Sequence, residues 1–135
     1  MNVDQNQIKD ILNSYKKITV YGLSPDPAKP SQTVPIFMRS QGYDLVGLYP
    51  KETEIAGFKI YRQLSDVPPE YRKFVDVFRS SDKIDQVVDE VLAVGGVEVL
   101  WLQLGITNAA AEKRAEQAGI KVISNRCLAI EHHKL

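Results

Sequence analysis

A doubly wound α/β sheet is the fold this chain predicts, and three observations predict it. Short aliphatic, β-branched runs alternate with segments of helical spacing along the sequence. Several runs are stopped by Gly or Pro, with a small-residue loop before the next helical segment. The first such junction runs Ile18-Thr19-Val20-Tyr21-Gly22-Leu23-Ser24 and on through Lys29-Pro30-Ser31. Its strand–glycine–helix form is the one with which α/β folds hold an anion, because backbone N–H groups and a helix N-terminus converge there. Strands joined through helices pair in parallel with right-handed crossovers, so one sheet of about five strands with helices on both faces is expected.

Each element has its own signal. Asp4 to Lys16 places Ile8, Ile11, Leu12 and Tyr15 at helical spacing behind Asp4, a candidate N-cap. Ile18 to Gly22 is strand one. Ser31 to Gly42 is a helix with Val34, Phe37 and Met38 as its buried stripe and Gly42 as terminator. Pro35 fits only the first turn, which sets the earliest start of that helix. Asp44 to Tyr49 is strand two, stopped by Pro50. Ile55 to Tyr61 reads as a small hairpin or irregular turn, and Pro68-Pro69 as a loop. Phe74 to Phe78 is strand three. Ser80 or Ser81 caps the next helix, which carries Ile84, Val87, Val88, Val91 and Leu92 up to Gly95-Gly96. Val97 to Leu102 is strand four. Thr107 caps an Ala-rich helix ending at Gly119, Ile120 to Ile123 is strand five, and Arg126 to His133 closes the chain as a helix.

Composition narrows the function. At 135 residues the chain is one domain with one core. Lys plus Arg and Asp plus Glu number 17 each, so no net charge favours nucleic acid or a membrane surface. One cysteine permits no internal disulfide and fits a reducing cytosol. No segment is apolar enough to span a bilayer, and the polar start Met1 to Gln7 is unlike a secretion signal, so a cytoplasmic location is expected.

In a doubly wound sheet the ligand lies at the carboxyl ends of the strands. The residues just after each strand are therefore the candidates. The first loop offers Gly22, Leu23, Ser24, Lys29 and Ser31, yet it lacks G-x-G-x-x-G and the P-loop spacing. After strand two come Tyr49, Pro50 and Lys51, where an NAD site has an acid for the ribose hydroxyls; a lysine favours an additional phosphate. Phe78 and Arg79 follow strand three. Arg79 is either a phosphate contact or a partner of Asp76 or Asp82. Gln103 and Gly105 follow strand four, and Asn125, Arg126 and Cys127 follow strand five. Cys127, expected in a first helical turn beside Arg126, is either an activated thiol or a buried small hydrophobe. Trp101 reads as core, and His132-His133 as surface. Asp89, Glu90, Glu112 and Glu116 read as solvated helix faces. No Ser-His-Asp set, carboxylate pair or metal spacing stands out, so neither catalytic nor metal-binding residues are assigned.

Taken together these loops resemble a known family. Val20 to Ser24 with Lys29-Pro30-Ser31, Tyr49-Pro50-Lys51, Val75 to Arg79, Val99 to Ile106 and Asn125 to His132 match, in order and spacing, the small stand-alone CoA-binding proteins. These are related to the CoA-binding domain of succinyl-CoA synthetase-type ligases. The resemblance covers the chain from about Lys16 onward. It implies a Rossmann-like fold with coenzyme A lying across the strand ends. The first loop and Lys51 would then serve the phosphates and adenosine, with Phe78, Arg79 and Gln103 to Gly105 along the ligand. Tyr49 stands where such proteins often have Asn, which removes an amide contact and offers an aromatic face. Synthetase activity is not implied, since the phosphohistidine mechanism needs further domains, and His132 is not that histidine.

Three functions follow, in order of expectation. The first is a non-catalytic binder of CoA or acyl-CoA acting as sensor, carrier or thiol protector. The second is a redox protein whose Cys127 forms a mixed disulfide with CoA. The third is an NAD(P)-binding regulator or oxidoreductase, which the missing glycines and the absent acid after strand two argue against.

Overall fold

The computed structural model describes residues 3–135. Helix α1 (Gln5–Ser14) begins with a reciprocal cap: the Asp4 carboxylate accepts from the Gln7 N–H at 2.8 Å, and the Gln7 side-chain oxygen accepts from the Asp4 N–H at 3.0 Å. Strand β1 (Lys17–Tyr21) leads to helix α2 (Pro30–Ser40) and strand β2 (Asp44–Leu48). A hairpin follows, formed by β3 (Glu54–Ile55) and β4 (Phe58–Tyr61), then a one-turn helix α3 (Pro69–Arg72) and strand β5 (Phe74–Val77). Helix α4 (Ile84–Val94), strand β6 (Val99–Leu102), helix α5 (Ala109–Gln117), strand β7 (Lys121–Ile123) and helix α6 (Leu128–His133) complete the chain.

The sheet order is β3-β4-β2-β1-β5-β6-β7, parallel throughout except for the β3–β4 pair. The α/β class is the expected Rossmann-like one, but there are seven strands instead of about five. The extra two, Glu54–Ile55 and Phe58–Tyr61, form the hairpin that is one of the two readings of Ile55 to Tyr61. Ala56 and Gly57 take φ of 51° and 86°, the two left-handed positions of a tight hairpin turn. Strand β4 then joins β2 in parallel over only two residue pairs, too short a stretch for periodicity to reveal.

Strand residues alternate between two apolar layers. Ile18, Val20, Phe74 and Trp101 pack on the face covered by α1, α2 and α6. Val75, Val77, Leu100 and Leu102 pack under α4 and α5. Trp101 is core, as expected, and its indole N–H donates to the Arg126 carbonyl at 2.8 Å.

Several local expectations are corrected. Pro35 lies in the second turn of α2, and its missing N–H leaves the Ser31 carbonyl to accept from the Ser24 N–H at 3.4 Å. Pro69 opens α3 instead of lying in a loop. Helix α4 starts at Ile84, after a 3-10 turn (Ser81–Lys83), and neither Ser80 nor Ser81 caps it. Ser81 instead holds the start of α5, receiving the Thr107 N–H at 3.1 Å on its hydroxyl and the Asn108 amide at 3.1 Å on its carbonyl. Asn108, not Thr107, caps α5, accepting from the Ala111 N–H at 3.2 Å. Glu90 is not solvated: it accepts from the Tyr21 hydroxyl and, at 2.7 Å, from the Leu64 N–H. His132 is half-buried, its ring 5.5 Å from that of Tyr43 and 5.9 Å from that of Phe37.

Gly47 fixes the spacing between β2 and the first loop. A Cβ there would sit 2.8 Å from both Leu23 Cβ and Ile60 Cδ1. Leu23 Cβ is attached directly to the backbone and has little room to give. Gly47→Ala is expected to destabilise the fold by about 1–3 kcal/mol, the cost of overpacking a close-packed core. Urea denaturation checks this; an unchanged midpoint would show that the β2–loop contact relaxes freely.

Candidate functional site

The strand order reverses between β1 and β5, and a two-lobed cavity opens at the carboxyl ends there. The larger lobe, about 410 Å³, is lined by Lys29, Pro30, Ser31, Phe78, Arg79, Ser80, Gln103, Leu104, Ile106 and Cys127. The smaller, about 200 Å³, is lined by Tyr21, Gly22, Leu48, Tyr49, Pro50, Arg62 and Arg79. Arg79 lines both.

The two lobes differ in chemistry. The larger has apolar walls from Phe78, Leu104, Ile106 and Pro30, with Lys29 and Ser31 at the start of α2. The smaller carries two arginines and two tyrosines. No carboxylate lines either lobe. Among the described residues, Lys29, Arg62 and Arg79 have no carboxylate within ion-pair distance. Cations gathered without counter-charges around a cavity attract an anion.

The backbone donors are distributed unlike those of a glycine-rich phosphate loop. The Gly22 and Leu23 N–H groups both donate to the Leu48 carbonyl, at 3.0 and 3.2 Å. Asp26 and Ala28 N–H groups turn back onto Ser24 Oγ and Asp26 Oδ1. Gln32 and Thr33 donate to the Lys29 carbonyl. The Ser31 N–H has no partner among the described residues and belongs to a residue of the cavity wall. The groups at this end left available to an anion are therefore the Ser31 N–H and the side chains of Lys29 and Arg79, while Gly22 serves the turn itself. Its φ is +97°, and an added Cβ would lie 3.1 Å from the Phe78 carbonyl oxygen.

The sequence-expected residues separate into three groups. Lys29, Ser31, Phe78, Arg79, Gln103 and Cys127 line the larger lobe, and Gly22, Tyr49 and Pro50 the smaller. Leu23 is buried in the core, and Ser24 is buried in the turn, where its carbonyl accepts from the Gln32 amide at 2.9 Å. Gly105 and Asn125 clasp each other, the Gly105 N–H donating to Asn125 Oδ1 at 2.7 Å, which ties the β6 loop to the β7 loop. Lys51 is exposed and outside both linings. Arg126 points to the buried Glu131 carboxylate at 3.5 Å and the Val3 carbonyl at 3.4 Å. Cys127 is the N-cap of α6, one residue before its first turn.

Arg62, Tyr21 and Ile106 also line the site and were not anticipated. Arg62 follows β4, which is expected from sequence at most as one arm of a small hairpin and not as part of the main sheet, so a search after each main-sheet strand does not include it. Among the described residues, no group of three or more His, Cys, Asp or Glu side chains is placed to hold a metal ion. Nor is any helix of those residues long and apolar enough to cross a membrane.

Beneath the larger lobe lies a buried acid. Asp76 is fully buried on β5, between Phe74 and Phe78 on the same face. Its Oδ1 accepts from the Gln103 side-chain amide at 2.6 Å, while Oδ2 has no partner among the described residues. Burial pushes its pKa from 3.8 up to about 8, with the Gln103 bond opposing. The folded form thus holds a proton that the unfolded chain releases above about pH 4. Stability from this group is full below that pH and is lost as pH rises to about 8. Asp76→Asn, which cannot ionise, is expected to gain on the parent protein between pH 5 and pH 8 in urea denaturation. A pH-independent difference would mean that Asp76 is charged in the fold.

Comparison with known proteins gives the family. The sequence pattern of the CoA binding domain matches residues 16–133. The uncharacterized protein YneT of Bacillus subtilis is 31% identical over 131 residues, covering 97% of this chain and 96% of its own. The structure of a Thermus thermophilus protein, cell-free ID.343, superposes with a TM-score of 0.89 at 32% identity, covering 98% of each chain. The dinucleotide forming acetyl-coenzyme A synthetase 1 of Ca. Korarchaeum cryptofilum aligns over 82% of this chain but only 26% of its own, at 26% identity and a TM-score of 0.67. The chain belongs to the CoA binding domain family.

Proposed function

We propose that the protein binds coenzyme A or an acyl-CoA reversibly and without turnover, as a sensor, carrier or thiol-protecting protein in a reducing cytosol. The observation that carries this is the pair of lobes that share Arg79: the larger combines apolar walls with Lys29 and Arg79, and the smaller carries Arg62 and Arg79 beside two tyrosines. Coenzyme A complements both. Its pyrophosphate and ribose phosphate are anionic, and its long pantetheine arm is uncharged, with apolar stretches between two amides. In this reading the arm lies along Phe78, Gln103 and Ile106 with the thiol toward Cys127. The pyrophosphate meets Lys29, the Ser31 N–H and Arg79, and the adenosine end lies by Tyr49 and Pro50. Family membership supports the ligand. NAD is disfavoured because Tyr49-Pro50-Lys51 offers no acid to its ribose.

Calorimetry with CoA, acetyl-CoA, NAD and NADP is the test. CoA is expected to bind with micromolar or better affinity without competition from NAD; tight NAD binding without CoA binding would overturn the reading. Arg79→Ala and Lys29→Ala should each weaken CoA by about 1–3 kcal/mol, the loss of a charge-assisted contact. The melting temperature of the ligand-free protein should stay unchanged, since exposed charges contribute little to folding. Lys51→Ala should have the smaller effect, because its side chain lies outside both lobes.

A second reading rests on Cys127, which lines the apolar lobe. Its thiolate would attack CoA disulfide. One sulfur forms the mixed disulfide with Cys127, and the other leaves as CoA thiolate, so no further oxidant is needed. Incubation with CoA disulfide should add a reducible CoA mass to the intact protein and none to Cys127→Ser. An adduct on the serine variant, or none on the parent protein, would leave only reversible binding.

A further inference from the structure

We infer that Arg62 reads the 3′-phosphate of the ligand, so that the smaller lobe selects CoA over its dephosphorylated form. The inference rests on the reading of the ligand as CoA.

Arg62 follows β4, the strand that extends the sheet beyond β2. Its Nη1 is shared among three carbonyls of the β2 loop: Tyr49 at 3.1 Å, Lys51 at 3.0 Å and Glu52 at 2.6 Å. One of these, Glu52, holds a left-handed backbone at φ +67°. Anchoring one nitrogen to three fixed oxygens sets the plane of the guanidinium. A guanidinium carries five N–H donors in a rigid fork. The donors on Nε and Nη2 have no partner among the described residues, and the side chain lines the smaller lobe. Arg79 lines the same lobe, and no carboxylate does.

Of the two arginines on the smaller lobe, Arg79 is shared with the larger lobe, so Arg62 is the cation that a neutral ribose and base leave without a partner. The pyrophosphate has its own partners in Lys29, Ser31 and the shared Arg79. A second dianion at the far end of the ligand is what the charge at Arg62 fits. A pre-oriented guanidinium is suited to two parallel N–H···O bonds with a phosphate, at little entropic cost.

The experiment is calorimetric titration of CoA and of 3′-dephospho-CoA into the parent protein, Arg62→Ala and Arg62→Lys. The parent protein is expected to prefer CoA at least about tenfold. Arg62→Ala should reduce that preference to about threefold or less, chiefly by weakening CoA. Arg62→Lys, which keeps the charge and loses the fork, should fall between. Because Arg62 also holds the β2 loop, loop disorder is the competing cause, and it would weaken both ligands equally. An unchanged ratio in Arg62→Ala, equal loss for both ligands, or no preference in the parent protein would each overturn the inference while leaving CoA binding intact. Failure of the parent protein to bind either ligand would instead overturn the reading of the ligand. Melting of the ligand-free variants shows that each is folded.

Discussion

The binding edge depends on one reversal of direction. From β1 the chain crosses to β2 on one side and later returns to place β5 on the other. The two loops leaving β1 and β5 must therefore separate, and the crevice between them is the cavity. What keeps them close enough to form one site is the turn at Gly22, directly under the Phe78 carbonyl. Phe78 in turn donates its N–H to the Tyr21 carbonyl at 2.9 Å, so the β1 and β5 exits are fastened before they diverge. A side chain at position 22 would have to push against backbone and adopt a strained φ.

Most of this was legible in the sequence for a simple reason: strands buried on both faces must be apolar, and crossover helices must be amphipathic. Ile18 to Tyr21, Phe74 to Val77 and Val99 to Leu102 announced themselves that way, and the rule that ligands lie at strand ends led to Lys29, Phe78, Arg79, Gln103 and Cys127. What escaped was decided by contacts between distant segments. A hairpin is one of the two expected readings of Ile55 to Tyr61, but that β4 reaches β2 and extends the main sheet is nowhere in Phe58 to Tyr61 alone. Arg62 was lost with it. Arg126 was credited to the site from its neighbours in sequence, but it turns toward Glu131. There it joins Lys134, at 3.1 Å, and Gln5, at 3.2 Å, around a nearly buried carboxylate. Pairing a buried acid outweighed a place at the ligand edge.

The Gly22 loop shows that a strand–glycine–helix junction need not be a phosphate cradle. Its N–H groups are spent on the Leu48 carbonyl and on side chains of the loop itself. Prolines at 25, 27 and 30 supply none. Under the proposed function, phosphate recognition would rest more on the cationic side chains of Lys29 and Arg79 than on the dipoles of this loop, and would depend correspondingly on ionic strength. Pro35 takes part in this arrangement. By vacating the Ser31 carbonyl it gives the Ser24 N–H an acceptor inside α2, which binds the loop to the helix whose end it approaches.

The shared wall at Arg79 has a consequence of a different kind. Two adjoining lobes of unlike polarity act on a spanning ligand as a chelate acts on a metal. Once one end is seated, the other is held at an effective concentration set by the ligand's own length, in the millimolar range for short flexible links. Either half presented separately, an adenine nucleotide or a pantetheine fragment, forgoes that gain. Under the proposed function the site would discriminate by length and connectivity as well as by charge, and short nucleotides that fill only one lobe would compete weakly for it.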